Sequence, residues 1–238
     1  MKVLSFIIIV ISAGILAGLV HGMLNIVVVE PYLDNAIGIE NQRMFAEGQA
    51  KDTPQFWKQF SDYRIWQKQG SIVAGAMLGA STGALFGLVF AYSKKSLPGN
   101  SDIKKALILA VIMWAVLYFI PFLKYPANPP TVGDPDTITF RATTYALFVA
   151  LSGFGAIGFS MLYKKMRNKK FLAFVGYIGF MGITFVVMPA NPDPINTSMD
   201  LVNGFRIISA STMTAYWISN GIILGWMWKK VKPDAVLT

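Results

Sequence analysis

Residues 3–29, VLSFIIIVISAGILAGLVHGMLNIVVV, and residues 71–92, SIVAGAMLGASTGALFGLVFAY, contain no Asp, Glu, Lys or Arg. The first run is 27 residues long and the second 22. A hydrocarbon core about 30 Å thick takes about 20 residues of helix to cross, so each run is long enough to span it. Both carry glycine at a strict four-residue spacing: Gly14, Gly18 and Gly22 in the first, Gly75, Gly79, Gly83 and Gly87 in the second. That spacing puts each set on one helix face, where missing side chains let two backbones approach closely. Ala13, Ala17, Ala76, Ala80 and Ala84 widen the two flat strips.

Four further uncharged runs follow, at residues 106–123, 142–163, 171–188 and 207–228. Only 14% of the 238 residues are charged, against about 25% in a soluble domain. No segment alternates polar and apolar residues in the manner of a membrane strand, so the spans are helices. The reading is therefore all-α: a polytopic membrane helix bundle with six transmembrane helices, forming a single membrane domain over residues 1–238. A soluble cytosolic enzyme, a secreted disulfide module and a disordered tail are excluded. The absence of cysteine also removes thiolate metal sites and cysteine nucleophiles. Lys2 ahead of an apolar stretch resembles the start of a signal peptide, but 27 uncharged residues exceed a signal h-region and read as an uncleaved span.

Six spans place both termini and the second and fourth loops on one side of the membrane. That side holds 13 Lys and Arg against Asp102 and Asp234, a net +11, while the other holds eight against ten carboxylates, a net −2; together they make the +9 of the chain. The positive-inside bias makes the basic side cytoplasmic, giving a multi-pass protein of the cell membrane with both termini in the cytoplasm. These lysine clusters flank span ends, where anionic headgroups of membrane lipid account for them, and no nucleic-acid partner is expected.

With this orientation the chain reads as three helical hairpins. The first outer loop, residues 30–70, contains a helix start, with Asp52 or Thr53 as N-cap and Pro54 at the first helical position, and Gly70 reads as its stop. Phe56, Trp57, Phe60, Tyr63 and Trp66 recur at spacings of three to four, which predicts an amphipathic helix over about 54–69 that lies along the outer surface or over the loops beneath it, a substrate-gating lid being the alternative. The other two hairpins, 106–163 and 171–228, repeat one another. Pro126-Ala127-Asn128-Pro129 recurs as Pro189-Ala190-Asn191-Pro192, followed by Asp134, Asp136 and Arg141 in one copy and by Asp193, Asp200 and Arg206 in the other.

Polar residues inside or beside the spans are the functional candidates. His21 is the only histidine, with Asn25 one turn further along the same face, and an ionisable group at such a position needs a partner. The last span carries Ser209, Thr212, Tyr216, Ser219 and Asn220, a polar stripe that either lines a hydrated path or bonds to neighbouring helices. On the outer side Glu30, Asn128, Asp134, Asp136, Asn191, Asp193 and Asp200 supply oxygens within short proline-braced turns, suited to a hard or borderline divalent cation. Arg141 and Arg206 stand at helix N-termini, where the macrodipole disfavours a cation, so each calls for a carboxylate such as Asp136 or Asp200.

The first span ending Val29-Glu30-Pro31, the stretch PFLKYPANPPTVGDPDTI at residues 121–138 and the later Gly204-Phe205-Arg206 resemble the CbtA family of cobalt transporter subunits. The resemblance follows the span order along nearly the whole chain. It implies a prokaryotic membrane protein that imports cobalt for corrinoid synthesis, working with other membrane subunits, among them a small single-span CbtB-like partner with a histidine-rich end. The first outer loop has no histidine here, so any imidazole ligand in this chain is His21.

The sequence carries no H-E-x-x-H motif and no phosphate-cradling G-x-x-x-x-G-K-[ST], so neither a catalytic site nor a bound cofactor is expected. The expected function is a permease subunit for a divalent metal cation, cobalt by resemblance, with the ion as substrate. In this reading Asp134, Asp136, Asp193 and Asp200 attract the ion, Asn128 and Asn191 offer oriented oxygens, His21 is an intramembrane ligand or gate, and Arg141 and Arg206 position the turns. The alternative is a non-transporting accessory or scaffold subunit whose glycine ladders bind other membrane proteins.

Overall fold

The computed structural model describes residues 3–130, 132–166 and 169–233; Lys2, Thr131, Arg167 and Asp234, used above for charge and motif, lie outside them. The described residues form six long helices, each long and apolar enough to cross a membrane. They are α1 (Val3–Ala46), α2 (Pro54–Ser93), α3 (Asp102–Lys124), α4 (Ile138–Lys165), α5 (Lys170–Val187) and α6 (Met199–Val231). A 3-10 turn, Pro135–Thr137, leads into α4.

The first two helices run well past their uncharged stretches. With 44 and 40 residues, α1 and α2 are about 66 and 60 Å long at 1.5 Å per residue, about twice the hydrocarbon thickness. Residues 30–70, read from the sequence as the first outer loop, are therefore mostly helix. Thr53 caps α2 by accepting the Phe56 N–H at 3.2 Å, with Pro54 at the first position. Gly70 does not stop it: the helix passes through to Ser93. A lone glycine inside a helix costs about 1 kcal/mol and breaks nothing by itself. The segment predicted to be a separate surface helix at 54–69 is thus the outer part of α2. Its first aromatics are absorbed at the tip, where Phe56 and Trp57 meet Phe45 of α1 edge-on at 5.0 and 5.9 Å.

Two helices contain a π-helical turn, Asn25–Val29 in α1 and Ala115–Phe119 in α3. Each ends two residues before a proline, Pro31 and Pro121. Proline has no N–H to donate four residues back and its ring clashes with that carbonyl, so the helix admits one extra residue and bonds five back instead. Accordingly Glu30 N–H bonds the Asn25 carbonyl and Ile120 N–H bonds the Ala115 carbonyl.

The chain divides into two compact units, residues 1–112, 129–131 and 198–238 in the first and residues 113–128 and 132–197 in the second. In the first unit α1 and α2 pack antiparallel through their glycines. A Cβ on Gly14 would land on the Gly79 carbonyl, and one on Gly18 on the Gly75 carbonyl. A Cβ on Gly83 would come 2.5 Å from Gly14 Cα, and one on Gly22 would come 3.1 Å from Ile72 Cα. Gly87 is closed off instead by the Val10 side chain. This register puts Gly22 level with Ser71, where the uncharged run of α2 begins. From Val3 to Gly22 is 20 residues, about 30 Å of helix, which matches a hydrocarbon core.

Along the same unit α6 packs on α1, with Trp228 edge-on to Phe6 at 5.8 Å and to Phe90 of α2 at 5.0 Å. Gly221 and Gly225 let the start of α3 approach, since their Cβ atoms would meet Ala110 at 2.9 Å and Ile103 at 2.6 Å. In the second unit α4 packs on α5, with Phe180 seated over Gly155 and Phe159 over Gly176.

Candidate functional site

The π turn in α1 changes which residues share a face. In an unbroken α-helix, Asn25 and Glu30, five apart, would point in different directions; the five-residue hydrogen bond of the π turn stacks them. His21, Asn25, Glu30 and Asp34 consequently form one ladder of nitrogen and oxygen donors. Its lower rung joins a buried His21 to a half-buried Asn25. Asn25 Nδ2 donates to His21 Nε2 at 3.2 Å, and His21 Nδ1 lies 3.3 Å from the Thr212 carbonyl, which can only accept. The imidazole is therefore protonated at Nδ1 and carries its lone pair on Nε2.

The upper rung is an ion cluster. Arg64, 7% exposed, bonds Glu30 and, at 2.8 Å, Asp34 through the same Nη2, and bonds Gln67 through Nη1 at 2.8 Å. Lys68 reaches Asp34 at 2.9 Å and Glu30 at 3.8 Å. Two carboxylates one turn apart on α1 face two cations one turn apart on α2, and the cluster is neutral. For Asp34, beyond the uncharged span, partial burial favours the protonated acid, yet hydrogen bonds and charge from Lys68 and Arg64 outweigh it and hold the carboxyl below its ordinary range.

Inward from His21 the polar row continues on α6. Thr212, Tyr216 and Asn220 recur every four residues and are all buried. Tyr216 stands 5.8 Å from the His21 ring, and its hydroxyl bonds Thr82 of α2, whose own proton goes to the Leu78 carbonyl at 2.6 Å. Asn220 is fully buried, and neither its Oδ1 nor its Nδ2 has a protein partner among the described residues. Each unpaired atom of that kind costs about 1–3 kcal/mol in a dry interior. Beyond it the row turns apolar: Leu224 and Trp228 are each 1% exposed, and Phe6, Phe90 and Trp228 close this end of the row. Below that plug Lys94 pairs with Asp102 at 2.8 Å. Of the five residues of the predicted stripe, Ser209 and Ser219 are only half-buried.

In the second unit the two Pro-Ala-Asn-Pro turns are tied together. The Tyr125 hydroxyl donates to the Pro189 carbonyl at 2.6 Å. Arg141 Nε bonds Asp193 at 2.8 Å and Thr137 Oγ1 at 3.0 Å, and its Nη2 bonds the Asp134 carbonyl at 3.1 Å. The acid that Arg141 takes is therefore Asp193 of the other copy, not Asp136. The Asp193 side chain is 3% exposed and needs a cation, whereas an exposed Asp136 gains little from one. Gly133, at φ +125°, lets the guanidinium lie flat on the backbone, with Arg141 Nη1 2.5 Å from where a Cβ would be. Asp134 is exposed and caps the 3-10 turn by accepting Asp136 N–H at 2.9 Å; Asn191 is exposed and accepts Asp193 N–H at 3.1 Å. Asn128 is half-buried in this unit. In the first unit Asp200 is exposed in the first turn of α6, capped by Ser198, and Arg206 is half-buried two turns on. Among the described residues no three His, Asp or Glu side chains come together as a metal site.

A family model described as "Probable cobalt transporter subunit (CbtA)" matches residues 3–229. The chain belongs to the CbtA family. We found no match among curated proteins and none among solved structures. As a CbtA protein it has a transporter's role rather than an enzyme's, cobalt is its plausible substrate, and a family of transporter subunits implies further subunits. The CbtA match covers both the donor ladder of α1 and the polar row of α6, as well as the paired turns.

Sequence reasoning missed Arg64 and Lys68 as partners of Glu30 and Asp34. The signal was available: two acids four apart in one helix and two cations four apart in the next are complementary faces. Thr82 gave no signal, because a lone threonine in an apolar run is common.

Proposed function

We propose that this CbtA-family chain is a cell-membrane permease subunit for a divalent cation, cobalt by family, with both termini cytoplasmic and a small single-span CbtB-like subunit as one partner. The observation that carries this reading is the set of polar groups gathered in the first unit: Glu30 and Asp34 around Arg64, Asn25 on His21, His21 against Tyr216, Tyr216 on Thr82, and the buried, unpaired Asn220. A histidine with a bonded asparagine and an unpartnered buried amide in one unit is more polar chemistry than helix packing requires. The chain folds as three hairpins in this reading, and the exposed acids of the outer turns, Asp134, Asp136 and Asp200, raise the local cation concentration, while Asp193 is spent on Arg141. Asn128 and Asn191 add neutral oxygens beside them.

Glu30 and Asp34 hold Arg64 and Lys68 in place of a metal, so an arriving cation competes with two built-in ones. His21 Nε2 is the next donor. A half-turn of the Asn25 amide exchanges its N–H for Oδ1 and gives a borderline metal one nitrogen and one oxygen. The scaffold reading has one observation in its favour, the aromatic plug at Phe6, Phe90 and Trp228, which seals the inner end. A permease must open there.

The test is cobalt accumulation by cells expressing the chain with its neighbouring subunits. His21→Ala is expected to lower uptake about tenfold, the factor that about 1.4 kcal/mol represents, without lowering membrane abundance. Loss of abundance with uptake per molecule unchanged would favour packing and the scaffold reading.

A further inference from the structure

The first residue of Gly204-Phe205-Arg206 lies under an aromatic ring. Tyr32 of α1, next after Pro31, covers Gly204 of α6 so closely that a Cβ there would come 2.6 Å from the ring edge and 3.4 Å from the hydroxyl. Leu201, Val202 and Phe205 of the same turns are buried with it. Two turns further along α6 the Thr212 carbonyl takes His21 Nδ1–H, and at the far end Trp228 meets Phe6. Helix α6 runs unbroken through all three points, so a displacement at Gly204 is carried to Thr212 by a rigid element.

The Thr212 contact decides what His21 can offer. The chain has one histidine and no cysteine. His21 is thus the single side chain with a nitrogen lone pair, since lysine and arginine are cationic and amide and indole nitrogens only donate. A carbonyl accepts and never donates, so at Nδ1 it keeps the proton there and leaves the lone pair on Nε2. With the carbonyl moved away, the proton can sit on Nε2 and be accepted by Asn25 Oδ1, which takes the lone pair to Nδ1 on the side of α6.

We propose that Tyr32 and Gly204 are positioning residues for His21. The ring seated on the glycine holds α6 in the register that sets the Thr212 carbonyl against Nδ1, and so keeps Nε2 as the donor. The tautomer follows from the packing alone, and its service to a cation rests on the permease reading.

One histidine gives one imidazole spectrum. In full-length protein carrying isotope-labelled histidine, NMR reads which ring nitrogen holds the proton, and wild type is expected to hold it on Nδ1. Gly204→Leu drives the ring off its seat and Tyr32→Ala removes the ring. In each, the population protonated on Nε2 is expected to rise at least about tenfold, and the Co²⁺ concentration that half-perturbs the imidazole signals to rise about tenfold. Combining the two substitutions refills the seat and is expected to return both readouts toward wild type. If Gly204→Leu alone does not assemble in the membrane, Tyr32→Ala and the combined variant still carry the test. A proton on Nε2 in wild type, a tautomer unmoved by the single substitutions, or a combined variant no better than either single one overturns the proposal. If the tautomer follows the seat while Co²⁺ leaves the imidazole unperturbed and wild type moves no cobalt, the permease reading falls and the positioning role stands.

Discussion

The same backbone device occurs twice in this protein and is used differently each time. Asn25–Val29 and Ala115–Phe119 are both five-residue π turns ahead of a proline. In α3 the register change strands the Val116 carbonyl: Ile120 N–H goes to Ala115, and Pro121 has none to give. That carbonyl is taken at 2.5 Å by the Ser152 hydroxyl, which in turn lies 2.8 Å from the Tyr177 hydroxyl, so the turn is closed by its neighbours. In α1 the equivalent carbonyl is that of Ile26, and the turn stands among His21, Asn25 and Glu30. The comparison teaches that a proline-induced π turn is neutral hardware. What it does is decided by which side chains the extra residue brings into line.

That contrast can be broken at three points. The largest effect is expected at Arg64. Arg64→Ala leaves Glu30, 9% exposed at its side chain, buried without its closest cation, at a cost of about 3–5 kcal/mol. Thermal denaturation in detergent should show a large fall, and adding Glu30→Gln should recover part of it. No recovery would mean that Arg64 acts through packing alone.

Next comes the pair Pro31→Ala and Pro121→Ala. Restoring an N–H lets each π turn relax to an α-helix. In α1 this rotates the His21–Asn25 pair away from Glu30 and Asp34, and cobalt uptake should fall about tenfold at unchanged abundance. In α3 the same change returns the Val116 carbonyl to its own helix, and uptake should stay within about twofold of wild type. Equal effects in the two variants would show that the two π turns do not differ in role.

The smallest effect is expected for Ser152→Ala. It removes the hydrogen bond that closes the α3 turn, at about 0.6 kcal/mol for a bond in a membrane bundle. A shift of thermal midpoint too small to resolve would show that the Val116 carbonyl finds another donor.

The membrane spans and the glycine packing were readable in the sequence because both are local. Uncharged length and a four-residue glycine period need no knowledge of a partner, and Gly14 with Gly79 and Gly18 with Gly75 meet as the strips require. The candidate site was readable only in part. His21 and Asn25 stood out as polar residues in an apolar run, but their alignment with Glu30 and Asp34 depends on one inserted residue that α-helical counting does not include. Arg141 was read from its helix terminus, yet its partner was misjudged. Choosing Asp193 over Asp136 requires knowing that the two proline turns fold against each other, a contact between residues 52 apart. Gly70 misled for the opposite reason, since a residue common at helix ends is also tolerated within them.

The uninterrupted course of α2 has a mechanical consequence. After Pro54 there is no further proline up to Ser93 and no register shift to absorb a bend, so the rod transmits torque. A partner gripping the aromatic tip around Phe56 and Trp57 would hold the long arm of a lever whose short arm is pressed against Gly14 and Gly18. Tilting that arm would pry at the bare backbone contact without the partner ever touching the bilayer.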